Sequence, residues 1–248
     1  MSDWLKPQWP APASVEAIVT TRSGGVSQPP WDSFNPALHV GDDPQAVASN
    51  RERLQQRMGY QRPVQWLTQV HGNHCAVVTV AGAAIEADAA YTRTPEQPIA
   101  VMTADCLSVF LCDRQGREVA VAHAGWRGLC AGILEATVRC FEAPADTLLA
   151  WLGPAIGPAA FQVGAEVRDA FIEAMPHQAA ATQEAFCADG QGRFLADIDR
   201  LARLRLQACG VQSMHGGGLC TVSDAGRFYS YRRDGVTGRM ASVIVLRQ

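Results

Sequence analysis

Short apolar runs of strand character alternate with helical runs along this chain. That alternation points to a layered α/β domain, a single-domain α/β sandwich, rather than an all-β or all-α fold. A first strand pattern, VEAIVTTR, ends in Ser-Gly-Gly and gives way to a proline-rich loop, QPPWDSFNP. Asp43 then stands where a capping carboxylate belongs, with Pro44 at the first helical position and Gly59 just past the last turn, so a helix is expected between them. The strands ending at His71 and starting at Cys75 are separated only by Gly-Asn-His, a hairpin signal. Helices are expected in LCAGILEATVRCF, from Ala165 to Met175 and from about Ala196 to Cys209, before a closing strand, ASVIVLR. With no repeat, linker or low-complexity stretch, residues 1–248 read as one domain.

Three of the strand-like runs share a second property. VQWLTQVHG, IAVMTADC and EVAVAHAGWRG each pass abruptly from β-formers into small or polar residues, and the passage carries His71, Cys106 and His123. If those ends lie side by side, two imidazoles and one thiolate converge. That set suits Zn²⁺ and leaves a fourth position open for water or substrate, the mark of a catalytic rather than a structural site. The plainer alternative is that Cys106 is a small core residue and that each His is only hydrogen-bonded. Asp105 before the thiol, and Gly125, Trp126 and Arg127 after the last His, crowd polar groups where a strand would otherwise simply end.

Composition narrows the functional classes. A chain of 248 residues can bury about 70–75% of its unfolded surface, enough for a full core without staples. Lys+Arg 21 against Asp+Glu 24 leaves no electrostatic bias toward nucleic acid or an anionic membrane, and no basic run tracks a phosphate backbone. The N-terminal segment lacks a basic start followed by an apolar stretch, and no run of about 18 apolar residues occurs, so a soluble cytoplasmic protein is expected. The oligomeric state is left open, with a monomer compatible. Of the eight cysteines, none forms a CxxC pair. Cys75, Cys112, Cys130, Cys140, Cys187, Cys209 and Cys220 read as reduced packing thiols, and Cys106 stands apart.

The motifs TTRSGGVS, TQVHG, TADC, HAGWRG, GPAIGPAAFQVG and FYSYRRDGVTGR, in this order along nearly the whole chain, resemble the YfiH-like laccase-domain proteins. That family was once labelled multicopper polyphenol oxidase and is now described as purine nucleoside phosphorylase with adenosine deaminase activity. The resemblance implies one zinc held by His71, Cys106 and His123, and an α/β sandwich like that of bacterial cysteine-hydrolase toxins. It also implies phosphorolysis of adenosine, guanosine, inosine and methylthioadenosine.

The remaining residues can be assigned tasks within that chemistry. Zinc lowers the pKa of a bound water to about 7, which suits attack on C6 of adenine. The step also needs a proton shuttle, and the H-x-E and P-C-x-x-C arrangement of known nucleobase deaminases is absent. Asp105 is the nearest catalytic candidate beside Cys106, or else a partner that orients a ligand. Phosphorolysis needs an anion cradle. Arg127, at the turn into a helix, is the first choice for phosphate, and Arg22 before two glycines is the second. The alternatives are an Arg bridging carbonyls and an ordinary strand-ending turn. Asn35 and His39, in SFNPALHV, could bond ribose hydroxyls, although Asn-Pro is a common turn. Gln69 shares a strand face with His71 and could touch substrate. His74 reads as a surface group, and His215 and the cluster Arg232, Arg233 and Asp234 either close the site from the C-terminal side or pair on the surface.

Two rival chemistries stay open. A His₂Cys set is also the equatorial set of a blue-copper site, with Met102 as the nearby axial candidate. Six His and no H-x-H pair argue against a laccase cluster, while adventitious copper in the zinc site fits the usual affinity order. The other rival is a cysteine or zinc amide hydrolase acting on a peptidoglycan precursor, with Cys106 as nucleophile and His123 or His71 as base.

Overall fold

The computed structural model describes residues 4–248. Two sheets stack face to face with helices on both outer sides. The larger has six strands in the order Ser213–Gly216, Leu148–Leu152, Leu107–Asp113, Val119–Ala124, Ala89–Thr92 and Cys75–Val77. Its two edge pairs are parallel and the rest antiparallel. The smaller is antiparallel, in the order Val15–Val19, Met240–Leu246 and Ile99–Thr103.

Period-two alternation assigns each side chain to a layer. In the strand Leu107–Asp113, Phe110 and Cys112 enter the core between the sheets, while Val109 and Leu111 enter the core beneath the helices. Val119 and Val121 against Ala120 and Ala122 repeat the pattern one strand over. On the closing strand Ile244 faces the larger sheet, whereas Val243 and Val245 pack outward with Leu54 of the helix Pro44–Met58. Strands buried on both faces read as nearly continuous apolar runs, which is why ASVIVLR and LSVFLCD show no polar alternation.

The expected helix beginning at Pro44 forms as its caps dictate. Asp43 accepts from the Gln45 amide at 3.0 Å, and Gly59 ends it in the left-handed region. The helices Ala165–Ala174 and Ile198–Ala208 lie close to where periodicity placed them. Two expectations fail. LCAGILEATVRCF is not one helix: a first short helix, Trp126–Cys130, starts earlier, and Gly132 at φ +92° separates it from Ile133–Val138. The Gly-Asn-His hairpin is also absent. Leu67–Thr68 pairs with Ile85–Glu86 and Cys75–Val77 pairs with Ala89–Thr92, so the two segments join different sheets. The chain between them wraps a buried carboxylate instead.

Candidate metal centre and its clefts

That carboxylate is Asp88, fully buried in EADAAYT just ahead of the strand Ala89–Thr92. It accepts from the amides of Val70 at 3.2 Å, His71 at 2.9 Å and Gly72 at 2.6 Å. The same side chain accepts from His123 Nδ1 at 2.7 Å. One residue therefore fixes the loop that carries the first imidazole and the tautomer of the second, leaving Nε2 of His123 free to bind. Burial alone would raise the Asp88 pKa. The His123 imidazole and the amides of Gly72 and Val70 outweigh it and hold the group below the ordinary carboxylate value. Sequence reading missed Asp88 because nothing near it signals a site. Its one cue is an acid placed among alanines where a strand should start.

His71, Cys106 and His123, each at the end of a strand-like run, come together. Their donor atoms lie within 4.8 Å of one another, and Cys106 Sγ is 3.8 Å from His71 Nε2. Among the described residues this is the one such group of three or more. Two imidazoles and a soft sulfur at that separation are a fitting donor set for a metal ion, and only small adjustments would close the ligand sphere. His123 sits within the strand Val119–Ala124, opposite Ser108, and Cys106 directly precedes the strand Leu107–Asp113. His71 lies in the loop three residues past its strand, at φ +61°.

The glycines of HAGWRG explain why that motif has its form. A Cβ on Gly125 would stand 3.0 Å from both Cys106 Sγ and His71 Cδ2, and one on Gly128 would come within 2.6 Å of the Gly72 carbonyl. Both must be bare for the loop at His71 to dock.

Electrostatics couples the ligands. Burial pushes the Cys106 thiol up, but the His123 imidazole, with His71 behind it, outweighs burial and brings the pKa down to about 6. Burial likewise opposes charge on His123, yet Cys106 and Asp88 raise its pKa to about 9. Without metal, the pair is a thiolate and an imidazolium at neutral pH.

Two clefts of opposite character meet at this group. One, of about 390 Å³, is lined by His39, Gln69, Tyr231 and Arg239 together with the three ligands, and no carboxylate lines it. Burial and then the charges of Arg239 and Arg51 lower the His39 pKa. The other, of about 250 Å³, is walled by Trp126, Phe161 and Tyr231, with Arg127 and Arg232 at its side. The Arg127 guanidinium is exposed and stacks on Trp126 at 4.4 Å.

Other candidate residues are placed differently. Arg22 bonds the Asp32 carbonyl and carboxylate and the Ala225 carbonyl, a tie between loops, and it lines neither cleft. Asn35 is fully buried, with both amide ends committed to Ala37, Asp42 and the Arg239 amide. It lines neither cleft and holds the Arg239 backbone. Gln69 lines the cationic cleft, but its amide is clamped to the N–H and carbonyl of Met102 at 2.7 and 2.8 Å. Asp105, at φ +93°, accepts from Thr221 Oγ1 at 2.6 Å and from the Arg232 amide at 2.6 Å. These contacts tie the C-terminal segment over the site and leave ligand orientation to Asp88. Of the two readings of the Arg232 cluster each holds in part: Arg232 lines the aromatic cleft, while Arg233 pairs with Asp234. His74 is exposed against the Glu86 carbonyl. His215 meets Ser213, outside both clefts.

Comparison with known proteins finds relatives over nearly the whole chain. A family model described as multi-copper polyphenol oxidoreductase laccase matches residues 16–247. A protein of Pseudomonas aeruginosa named purine nucleoside phosphorylase is 57% identical, with 99% of each chain covered. One of Escherichia coli (strain K12), named purine nucleoside phosphorylase YfiH, is 52% identical over 99% of this chain and 100% of its own length. The crystal structure of a Neisseria meningitidis protein superposes with a TM-score of 0.93 at 48% identity, covering 99% of both chains.

Proposed function

Because the chain belongs to the multi-copper polyphenol oxidoreductase laccase family and its close relatives are named purine nucleoside phosphorylases, we propose that it is a zinc-dependent enzyme that phosphorolyses purine nucleosides. The substrates would be adenosine, guanosine, inosine and methylthioadenosine, and the products the free base and ribose 1-phosphate or its methylthio analogue. The observation that carries this reading is a basic pair, Arg239 and His39, in the lining of the cleft beside the metal group. His39 and Arg239 face one cleft with no carboxylate among its lining residues, and burial, with the charge of Arg239 after it, lowers the His39 pKa. Such a pair is relieved by an anion.

In this reading His39 and Arg239 hold phosphate. Arg239 uses NH1 on the Thr237 and Gly238 carbonyls, which leaves the rest of its fork for the ligand. The purine stacks in the aromatic cleft among Trp126, Phe161 and Tyr231, with Arg127 at its edge. The ribose then lies where the two clefts meet, and a phosphate oxygen attacks C1′ as the bond to the base breaks. His71, Cys106 and His123 would hold the ion, and Asp88 would keep both imidazoles oriented. Zinc bound there supplies a Lewis acid and a water acidified to about pKa 7, chemistry that also suits hydrolytic deamination of adenosine. Copper in the same place would be an adventitious occupant.

A second reading has its own observation. Cys106, His123 and Asp88 form a relay of thiolate, imidazolium and carboxylate, which is the constellation of a cysteine hydrolase. It supports kinship with the cysteine-hydrolase toxin fold and an amide substrate such as a peptidoglycan precursor. We place the chain, as one domain over 1–248, in the cytoplasm. Its cysteines are all free and, among the described residues, no helix is long and apolar enough to cross a membrane.

Chromatography of zinc-quantified protein incubated with adenosine or inosine separates the readings. Free base and ribose 1-phosphate appearing only with phosphate is the expected result, and inosine from adenosine without phosphate reports deamination. Absence of both products with stoichiometric zinc would overturn the nucleoside reading.

A further inference from the structure

The two basic groups of the cationic cleft come from opposite parts of the chain, and one buried hydrogen-bond network reaches both. His39 sits in the turn Leu38–Val40, inside a loop whose ends are tied together, because Asn35 Nδ2 donates to Asp42 Oδ2 at 2.8 Å. Asn35 Oδ1 in turn accepts from the backbone N–H of Arg239 at 3.0 Å, across a sequence separation of 204 residues. A single side chain thus closes the His39 loop and anchors the backbone of Arg239.

Asn35 can do this in one orientation only. Its Oδ1 faces the amides of Ala37 and Arg239 at 3.1 and 3.0 Å, and its Nδ2 faces the Ala37 carbonyl at 3.1 Å as well as Asp42. Turning the amide over would set donors against donors and oxygens against oxygens. Asp42 selects the orientation. Its Oδ2 also accepts from Ser27 Oγ at 2.6 Å, and its Oδ1 accepts at 2.8 Å from the amide of Asp43, the cap of the helix Pro44–Met58. From its second turn the same helix sends Asn50 Nδ2 to Ser27 Oγ at 2.9 Å and to the Asn35 carbonyl at 3.0 Å. Ser27, Asn35, Asp42 and Asn50 are all buried, so the bonds are shielded from water and the frame is stiff.

We propose that Asn35 and Asp42 are positioning residues that set the affinity for phosphate, by holding His39 and Arg239 at a separation that one oxyanion can span. The proposal rests on the reading in which that pair binds phosphate. Groups pre-set on a stiff frame lose little freedom when the anion arrives, whereas a slack loop must be ordered at each binding. The effect is confined to phosphate, since His71 and His123 are held by Asp88, and Arg232 of the aromatic cleft by Asp105.

The test is steady-state phosphorolysis of inosine, with phosphate and inosine varied in turn, on zinc-quantified wild-type protein, Asn35→Asp, Asp42→Asn, the double variant with both changes, and Arg239→Ala. Asn35→Asp sets a carboxylate against a carboxylate, and Asp42→Asn sets an N–H against a donor at either Asn35 or Asp43. Each should raise the KM for phosphate about 10- to 100-fold, while zinc content and the KM for inosine stay within about twofold. The double variant exchanges donor and acceptor, so its contact re-forms and most of the loss should be recovered, which a general loosening of the loop would not give. It also carries the test where a single variant fails to fold, because its KM for phosphate should lie nearer that of wild type than that of Arg239→Ala. A raised KM for phosphate in Arg239→Ala with wild-type values in both single variants, or a double variant as impaired as Arg239→Ala, would overturn the proposal and leave the phosphate reading standing. An unchanged KM for phosphate in Arg239→Ala would overturn that reading of the cleft and this proposal with it.

Discussion

Asp88 does at one position what the metal group needs at two: it shapes the loop of His71 through three amides and aims His123 through its ring. Asp88→Asn keeps the size but loses the charge and can no longer accept every one of those bonds. Competition with a chromophoric chelator should show zinc affinity reduced about 10- to 100-fold. An unchanged affinity would mean that the ligands orient themselves. The charge pair makes a second expectation at this scale. In metal-free protein the Cys106 pKa lies near 6, below that of an unfolded thiol, and the His123 pKa lies near 9, above that of an unfolded imidazole. The ion pair therefore adds stability between those values. On the acid side it is lost as the thiolate protonates, and on the alkaline side as His123 gives up its proton. Alkylation of Cys106 by iodoacetamide should accordingly rise through pH about 6, and bound zinc should suppress it. A midpoint near 8.5, the ordinary thiol value, would contradict the pair.

At the scale of elements, the decisive contact ties the C-terminal segment to the turn before the strand Leu107–Asp113. Asp105 takes Thr221 Oγ1 and the Arg232 amide, so Asp105→Ala strands one buried and one part-buried donor and should cost about 1–3 kcal/mol in denaturant unfolding. The same variant should raise the KM for nucleoside more than it changes kcat, because Arg232 and Tyr231 wall the aromatic cleft. An equal fall in kcat alone would instead assign Asp105 to proton transfer. What could be read from the sequence divides along this same line. The capped helix from Pro44 and the ligand-bearing strand ends were legible because their signals are local: a capping acid, an N1 proline, a change from β-formers to polar residues. The failed hairpin and the split helix were not. His71–Gly72 turns around Asp88, some sixteen residues away, and Gly132 reads as an ordinary helical glycine until its positive φ is seen. Asn35 and Arg22 looked like ligand residues for the converse reason, since their partners at Arg239 and Ala225 are remote in sequence.

For the whole molecule, stacking two sheets between helices brings one end of the larger sheet together with the C-terminal segment. The metal group sits at that junction, with a cationic cleft and an aromatic cleft opening on either side of it. The layering itself was legible from alternating strand and helix runs, whereas the clefts were not, because their walls come from segments near residues 39, 126, 161 and 231 that share no motif. The central claim is that one ion held by His71, Cys106 and His123 is required for phosphorolysis, and it is tested most directly by measuring zinc content and phosphate-dependent release of hypoxanthine from inosine on the same preparations of wild-type protein and Cys106→Ala. The account predicts one zinc per wild-type chain, and loss of both metal and phosphorolysis in a variant that still unfolds cooperatively. Full zinc occupancy or an undiminished rate in Cys106→Ala would contradict it.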